Sequence, residues 1–556
     1  MKLQAVGSAV KTQVMDHHGI VASVCKDLKI AERINSRIGS KDPRRVIQPG
    51  TAVVAMIINA LGFTNRRLYL TPQFYQSKAV EHLLGDGIVA EALDDHCLGK
   101  CLDEISSYGV TKIYGETAFD LALEHNLLGK YAHLDSTSFV LQGEYAAKPD
   151  ISMEPIPDGA EVIEVVHGYS KDHRPDLKQV MLSLSVSGEA NIPIWMEPLS
   201  GNSSDRISFH ETISNVKLFQ NQLKLNHDFI WVADSALYTS DKLLSHNNIL
   251  WVSRVPENIK DCAALLELED NSFNWEAGSD GYSCAEVCSN YGNIRQRWII
   301  VSSEQAYARE KSTFERQIEK QTAQAEKDCW HLGNEVFNCE KDAMSQVKEL
   351  QRKYKYLILS AEVIGVEKHT KRGRPKTNAV KELKGYHVNI TVSKNDKSIS
   401  RQLLKKGRFI IATNNLDDNL SALAILAEYK DQQCVESGFK FLKDPWFMID
   451  SFYVKKPSRI AALMMIMTLS LLVYNFAQYK LRQALLEANE TIPNQVGKPI
   501  QNPTLKWVFQ IMEGVGIVKV YDNSQNLISA IVTNIDELRL KILKLLGGST
   551  CEMYGI

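Results

Sequence analysis

The chain has 556 residues, more than one ordinary domain holds, and its 44% hydrophobic and 23% charged residues suit a folded protein with ample core and exclude wholesale disorder. Its formal net charge of −2 excludes a globally basic nucleic-acid binder, so any polyanionic partner has to be held by local basic patches.

The N-terminal MKLQAVGSAVKTQVMDHHG lacks the long apolar core of a signal peptide. Residues 14–128 then read as helices, with apolar periodicity in IVASVCKDLKIAERI, TAVVAMIINALGF and DDHCLGKCLDEISSYGV. This predicts a small all-α module. Arg44, Arg45, Arg66 and Arg67 in its connections could serve a helix-turn-helix on DNA, or the module could be a plain scaffold.

From Lys130 the texture changes to strands. KYAHLDSTSFVLQ alternates and is rich in β-formers; VMLSLSVS and IPIWMEPL follow, joined by the turn GEAN. SFHETISNVKLFQNQL reads as a helix, FIWVADSAL as a strand ending on Asp234, SDKLLSHN as a short helix and ILWVSRV as a further strand. Three strands, helix, strand, helix, strand is the order of a ribonuclease H-like α/β core.

The pattern is interrupted between Pro256 and about Lys406. β-Hairpins are expected over residues 273–303 and long polar helices over 304–354, either a hairpin, a dimer contact or a solvated insertion. A basic segment over 368–408 carries thirteen Lys and Arg against two acids. GRFIIATN reads as a strand returning to the core, and a turn then leads into the helix of LAEYKDQQCVESGFKFLKDP. IAALMMIMTLSLLVYNFA, residues 460–477, is nearly long enough to cross a bilayer, but Thr468, Ser470 and Asn475 within it and its position after a charged helix predict a buried core helix.

Ten cysteines are scattered, and the close pairs Cys97/Cys101 and Cys284/Cys288 have the spacing of neighbours on a helix or, for the second, one strand. Neither has a second pair to complete a zinc site, and a reducing cytoplasm fits best.

Two acids stand out in this frame. Asp135 lies within the first strand of the α/β unit and Asp234 ends the fourth, and in a ribonuclease H-like sheet those two strands are neighbours. Glu436 on the later helix can complete a cluster of three. Clustered carboxylates repel one another without a cation, and their natural use is to hold two Mg²⁺ ions, with Mn²⁺ as a substitute, for in-line displacement at a phosphodiester. On one continuous helix Tyr429, Glu436 and Lys443 recur every seven residues and form a stripe that Gln432 extends. Beside such a cluster Lys443 can meet a backbone phosphate, Tyr429 can hydrogen-bond or stack, and Gln432 can donate a neutral hydrogen bond. The plain alternative is a solvated helix face, and an Asp at a strand end is commonly a turn former.

YKDQQCVESGFKFLKDP resembles the Tyr-x2-Arg-x3-Glu-x6-Lys signature of the IS4 superfamily of bacterial insertion-sequence transposases, and the chain as a whole resembles its IS1634 group. LDSTSF, HGYSKDHRPDLKQV, PLSGNSSD, VADSALYT and GRFIIATN are similar to that group's blocks, and DDHCLGKCLD to its helical N-terminal domain. The resemblance implies a DDE transposase with Asp135, Asp234 and Glu436 as catalytic metal ligands and Tyr429 and Lys443 as contacts to the transposon end. It also implies a catalytic domain split by an insertion between the second Asp and the Glu. Where the signature has Arg this chain has Gln432, so a bidentate phosphate contact is lost there.

Further basic residues point to DNA. Lys171, His173, Arg174 and Lys178 gather before the second strand, as phosphate contacts or as parts of a structural loop. KRGRPK resembles an AT-hook, whose Arg372 and Arg374 would enter a narrow minor groove; its alternative is a solvated basic loop. His133, two residues before Asp135, is expected to be a packed residue rather than a ligand.

The expected architecture is therefore α/β: a ribonuclease H-like catalytic core interrupted by a mixed β/α insertion, with an all-α N-terminal domain. Residues 1–128 form the helical DNA-binding domain, 129–256 the first part of the core, 257–406 the insertion, 407–490 the second part with the Glu helix, and 491–556 a helical C-terminal region, a candidate for dimerisation. The expected partners are terminal inverted repeats, target DNA and a second copy of the chain on paired ends, with no membrane and no small-molecule substrate, in a bacterial cytoplasm at the nucleoid. The competing readings are a metal-dependent nuclease without strand transfer and a transposase derivative that binds DNA without catalysis.

Overall fold

In the computed structural model the described residues are 10–40, 44–63, 68–143, 145, 163–170, 174–239, 243–244, 248–369, 381–444, 454–522, 524 and 526–556. Met1–Trp251 and Glu428–Ile556 fold together as one unit, and Val252–Ala427 forms a second.

The first unit opens with strand β1, Val10–Val14, and continues through helices that include His18–Asp27, Ile30–Ile38, Pro49–Leu61, Asp95–Tyr108 and Val110–Glu124. The helical expectation holds here, with β1 as an addition. Asp94 caps Asp95–Tyr108 by accepting from the Cys97 N–H at 2.7 Å, and Cys97 and Cys101 lie on this helix, Cys101 buried beneath it. Arg45, a candidate DNA contact, instead grips Glu104 of the same helix at 2.6 and 2.9 Å and tethers the preceding loop.

The sheet of this unit contains β2 (Tyr131–Leu141), β3 (Lys178–Ser187), β4 (Ile192–Ser200) and β5 (Ile230–Ala233), in the spatial order β4-β3-β2-β5. β2 and β3 pair antiparallel, β3 and β4 antiparallel, and β2 and β5 parallel. Counted from the first of them the strands stand 3-2-1-4, as the sequence order predicts. Beyond β5 the Trp231 N–H donates to Leu250, just before the next strand. β3 is buried along almost its whole length, which explains its unbroken VMLSLSVS run: both faces of the sheet are covered. Gly188 turns the β3–β4 connection at φ +73°, where a Cβ would run into the Leu127 carbonyl.

The apolar helix Pro457–Glu487 is the core of this unit. It is long and apolar enough to cross a membrane, yet 89% of its apolar window is buried within the structure. Arg459 at its start holds Asp103 with two bonds of 2.7 and 2.6 Å, so the C-terminal core helix is clamped to the N-terminal helices.

The expectation of a helical C-terminal region needs correction. Gly516–Tyr521 and Leu527–Thr533 are antiparallel strands, and β1 pairs with the first of them from Val10↔Val520 to Val14↔Gly516. GIVKVY and LISAIVT are β-branched, period-two runs, and a strand is what that pattern favours. Helices Leu505–Ile511, Glu537–Leu546 and Gly548–Met553 complete the region.

In the second unit Cys284 and Cys288 stand on strand Tyr282–Ser289, which pairs with Gln296–Ser303. Strand Arg408–Thr413 pairs antiparallel with Gln296–Ser303 along its length and with residues 252–254. The polar stretch forms two helices, Glu304–Gly333 and Glu340–Lys353, which pack on a long hairpin of Leu357–His369 and Lys381–Lys394. Their shared core includes Ala325, Cys329, Ala343, Val347, Leu350 and Leu357. The KRGRPK segment with Arg372 and Arg374 lies outside the described residues.

Candidate active site

The β-rich sequence around Asp135 gives a strand, and strand pairing does the first work of assembling the site. β2 and β5 run parallel in the register Tyr131↔Ile230 to Leu134↔Ala233. Asp135 and Asp234 are the next residue on each, so two positions 99 apart in sequence come to neighbouring strands spaced ~4.8 Å apart. Asp135 is half-buried, with its Oδ1 accepting from the Ser136 N–H at 2.7 Å. Asp234 is exposed where β5 stops, and its Oδ1 accepts from the Ala236 N–H at 2.8 Å, forming an Asx turn.

Glu436 stands on helix Gln433–Leu442, which buries Val435, Gly438, Phe439 and Leu442. Burial of each large apolar side chain contributes about 1.5–3 kcal/mol toward docking the helix. Gly438 allows the close approach: a Cβ there would lie 3.1 Å from Leu471 and 3.7 Å from Leu184. Leu184 is the antiparallel partner of Asp135 and shares its face of the sheet, so the helix covers the face on which Asp135 stands.

The helix is aligned along β2 by contacts at both ends. At its start Gln432 Nε2 donates to the Leu134 carbonyl at 2.9 Å, and at its end Lys443 Nζ lies over the Phe139 ring, 5.7 Å from the centroid. Eleven helical residues at ~1.5 Å and five strand residues at ~3.3 Å both span about 16 Å, so the two runs match in length. Glu436 lies one helical turn, about 6 Å, beyond Gln432. It is exposed, as is Asp234. Among the described residues, no three His, Cys, Asp or Glu side chains close on one point tightly enough to hold a single ion.

The stripe of seven-residue steps needs correction. The helix is broken: Ala422–Lys430 ends, Asp431 and Gln432 turn, and Gln433–Leu442 begins. Tyr429 therefore stands on a different helix from Glu436, and the steps of seven do not carry across the turn. Gln432 also departs from expectation. It is 8% exposed, and its amide is engaged inside the protein rather than presented to a strand of DNA.

Of the basic residues before β3, Lys171 and His173 lie outside the described residues. Arg174 is exposed and forms a two-bond pair with Asp176, at 2.9 and 2.8 Å. Lys178 donates to the Tyr145 carbonyl at 2.5 Å. His133 is a packed residue: it is buried, and burial pushes its imidazole down to about 4. A groove of about 830 Å³ that sequence reasoning did not foresee is lined by Lys130, Tyr131, His133, Gln433, Ser437 and Arg482 among others. Its helix residues lie among exposed polar positions that sequence alone does not separate from any solvated surface.

Comparison with known families matches residues 10–119 to a domain of unknown function, DUF4277. No curated protein matches the chain. Among solved structures, a piggyBac transposase synaptic complex with hairpin DNA overlaps 90% of this chain and 80% of that one, at 8% identity and a TM-score of 0.36. An overlap that loose carries no inference about fold or activity.

Proposed function

We propose that the chain is a metal-dependent DNA transposase of the DDE type, which cuts at the ends of its element and joins the freed 3′-hydroxyls to target DNA. The observation that supports this best is the register of β2 and β5, which makes Asp135 and Asp234 neighbours, together with the contacts of Gln432 and Lys443 that tie the Glu436 helix to β2.

The donor set fits Mg²⁺ by chemistry: three carboxylates, all oxygen donors. Mg²⁺ is ordinarily held by one or two carboxylates together with substrate phosphate and water, rather than by a closed protein cage. Pairs of these carboxylates with DNA oxygens suffice, and convergence of all three on one point is not required. Asp135, Asp234 and Glu436 would hold the ions, and two Mg²⁺ ions bound there would supply activation of the attacking oxygen and stabilisation of the leaving one. Lys443, at the end of the Glu436 helix and over Phe139 on β2, would contact a phosphate of the bound strand. Tyr429, Arg174, Lys171, Arg372 and Arg374 remain candidate DNA contacts in the same reading, with terminal inverted repeats, target DNA and a second protomer as partners.

The test is an incubation of the protein with Mg²⁺ or Mn²⁺, a duplex carrying the DNA that flanks the coding region, and a target plasmid. Joined products are expected. Cut ends without joining would identify a nuclease instead, and binding without cutting a DNA-binding derivative.

A further inference from the structure

Gln432 sits in the turn between helices Ala422–Lys430 and Gln433–Leu442, and the residue is 8% exposed. Its Nε2 donates to the Leu134 carbonyl at 2.9 Å, while its Oε1 is buried with no hydrogen-bond partner. Leu134 is the last residue of β2 that pairs with β5, opposite Ala233. Beyond it the two strands carry the acids, and the chain of β5 leaves the sheet in the turn at Asp234. A side chain from the Glu436 helix thus bonds the backbone at the point where strand pairing ends.

We infer that Gln432 is a positioning residue: its amide fixes the start of helix Gln433–Leu442 to the peptide between Leu134 and Asp135, and so sets the position of Glu436 relative to Asp135. This rests on the carboxylate reading given above. The apolar side chains of the helix define which face it buries, but apolar contacts are non-directional and tolerate sliding along the strand. A hydrogen bond to a single backbone carbonyl is directional and fixes the axial position. Glu436 lies one helical turn from Gln432, so a slip at the bond is passed to the carboxylate almost undiminished. An amide buried with half of its capacity unused is costly, and an apolar residue of the same size would avoid that cost. The position is occupied by a donor all the same.

The test compares wild type with Gln432→Met, which keeps volume and removes the donor, and with Gln432→Glu, which can donate only when protonated. Amide hydrogen exchange of the metal-free proteins reads the attachment of the helix directly. Gln432→Met is expected to lose protection at residues 433–437 while the exchange of β3 and of helix Pro457–Glu487 stays at the wild-type level. On the flanking-DNA duplex, Gln432→Met is expected to cleave about tenfold or more slowly with affinity unchanged within about twofold, since misplacement of about 1 Å is costly to reaction but not to binding. Gln432→Glu is expected to approach wild-type cleavage as pH is lowered, because burial raises the pKa of its carboxyl and the proton it then gains restores a donor to the Leu134 carbonyl. Unchanged exchange in Gln432→Met would overturn the inference, and so would a fall in DNA affinity in step with cleavage, which would make Gln432 a DNA contact. If wild type cuts no DNA, the proposed function fails on its own, and the exchange comparison still decides the role of Gln432.

Discussion

Asp135 and Asp234 illustrate how little a single acidic residue means before its strand is known. Asp234 in isolation is a turn former, and it does form an Asx turn; its juxtaposition with Asp135 is what makes it a candidate metal ligand in the proposed reading. Asp135→Asn keeps the shape of the half-buried side chain and removes the charge. It is expected to abolish detectable cleavage, a loss of about 10³-fold or more, with the thermal midpoint within a few degrees of wild type. A second residue-scale expectation concerns His17, which is stacked on Phe509 at 4.1 Å and donates from Nε2 to the Leu61 carbonyl at 2.9 Å. Burial pushes its imidazole down to about 4 from an ordinary 6.5. Between those values the unfolded chain binds a proton that the folded chain does not, so stability is full above about pH 6.5 and falls as pH drops toward 4. The loss attributable to this ring is roughly 3 kcal/mol. Urea midpoints recorded across that range should show a shallower fall in His17→Phe, which keeps the stacking and removes the titration.

At the scale of elements, the sheet order of the first unit was legible because β-rich runs, turn residues and a helical period alternate cleanly from Lys130 to Val255. The buried nature of Pro457–Glu487 was legible too, since Thr468, Ser470 and Asn475 mark it off from a membrane span. The break at Asp431–Gln432 was not. Neither Gly nor Pro stands there, and periodicity alone gives one continuous helix; the turn exists because Gln432 finds its partner on β2, a contact 298 positions away. The strand Arg408–Thr413 is legible from its apolar run, but its partners are not, since a six-residue apolar strand does not name its partner. The closeness of the Glu436 helix to the sheet depends on Gly438. Gly438→Val would place branched carbons against Leu471 and Leu184, and is expected to cost about 1–3 kcal/mol and to lower cleavage by more than that loss of folding explains. A urea titration alongside a single-turnover cleavage rate separates the two effects.

At the scale of the whole molecule, the N-terminal helices depend on the far end of the chain. β1 pairs with Gly516–Tyr521, Ser23 shares a hydrogen bond of 2.8 Å with Thr550, Lys480 reaches Asp27 at 2.7 Å, and the buried Tyr554 hydroxyl donates to the Asp16 carbonyl. The segment matched as a domain of unknown function begins with β1 and contains none of these partners. A fragment of residues 10–119 is therefore expected to melt without a cooperative transition by circular dichroism. Removal of residues 1–14 from the full chain leaves a two-stranded ribbon of marginal stability at the C-terminus, and should destabilise the first unit by about 2 kcal/mol. The pairing of β1 also has a consequence for biosynthesis. Its partner strand emerges about 500 residues later, which at ~5–20 residues per second leaves β1 waiting on the order of half a minute to two minutes. During that interval β1 stays an unpaired strand exposed to whatever surrounds the ribosome, and a transcript cut short before the codons for Gly516–Tyr521 yields a product in which β1 never finds its partner.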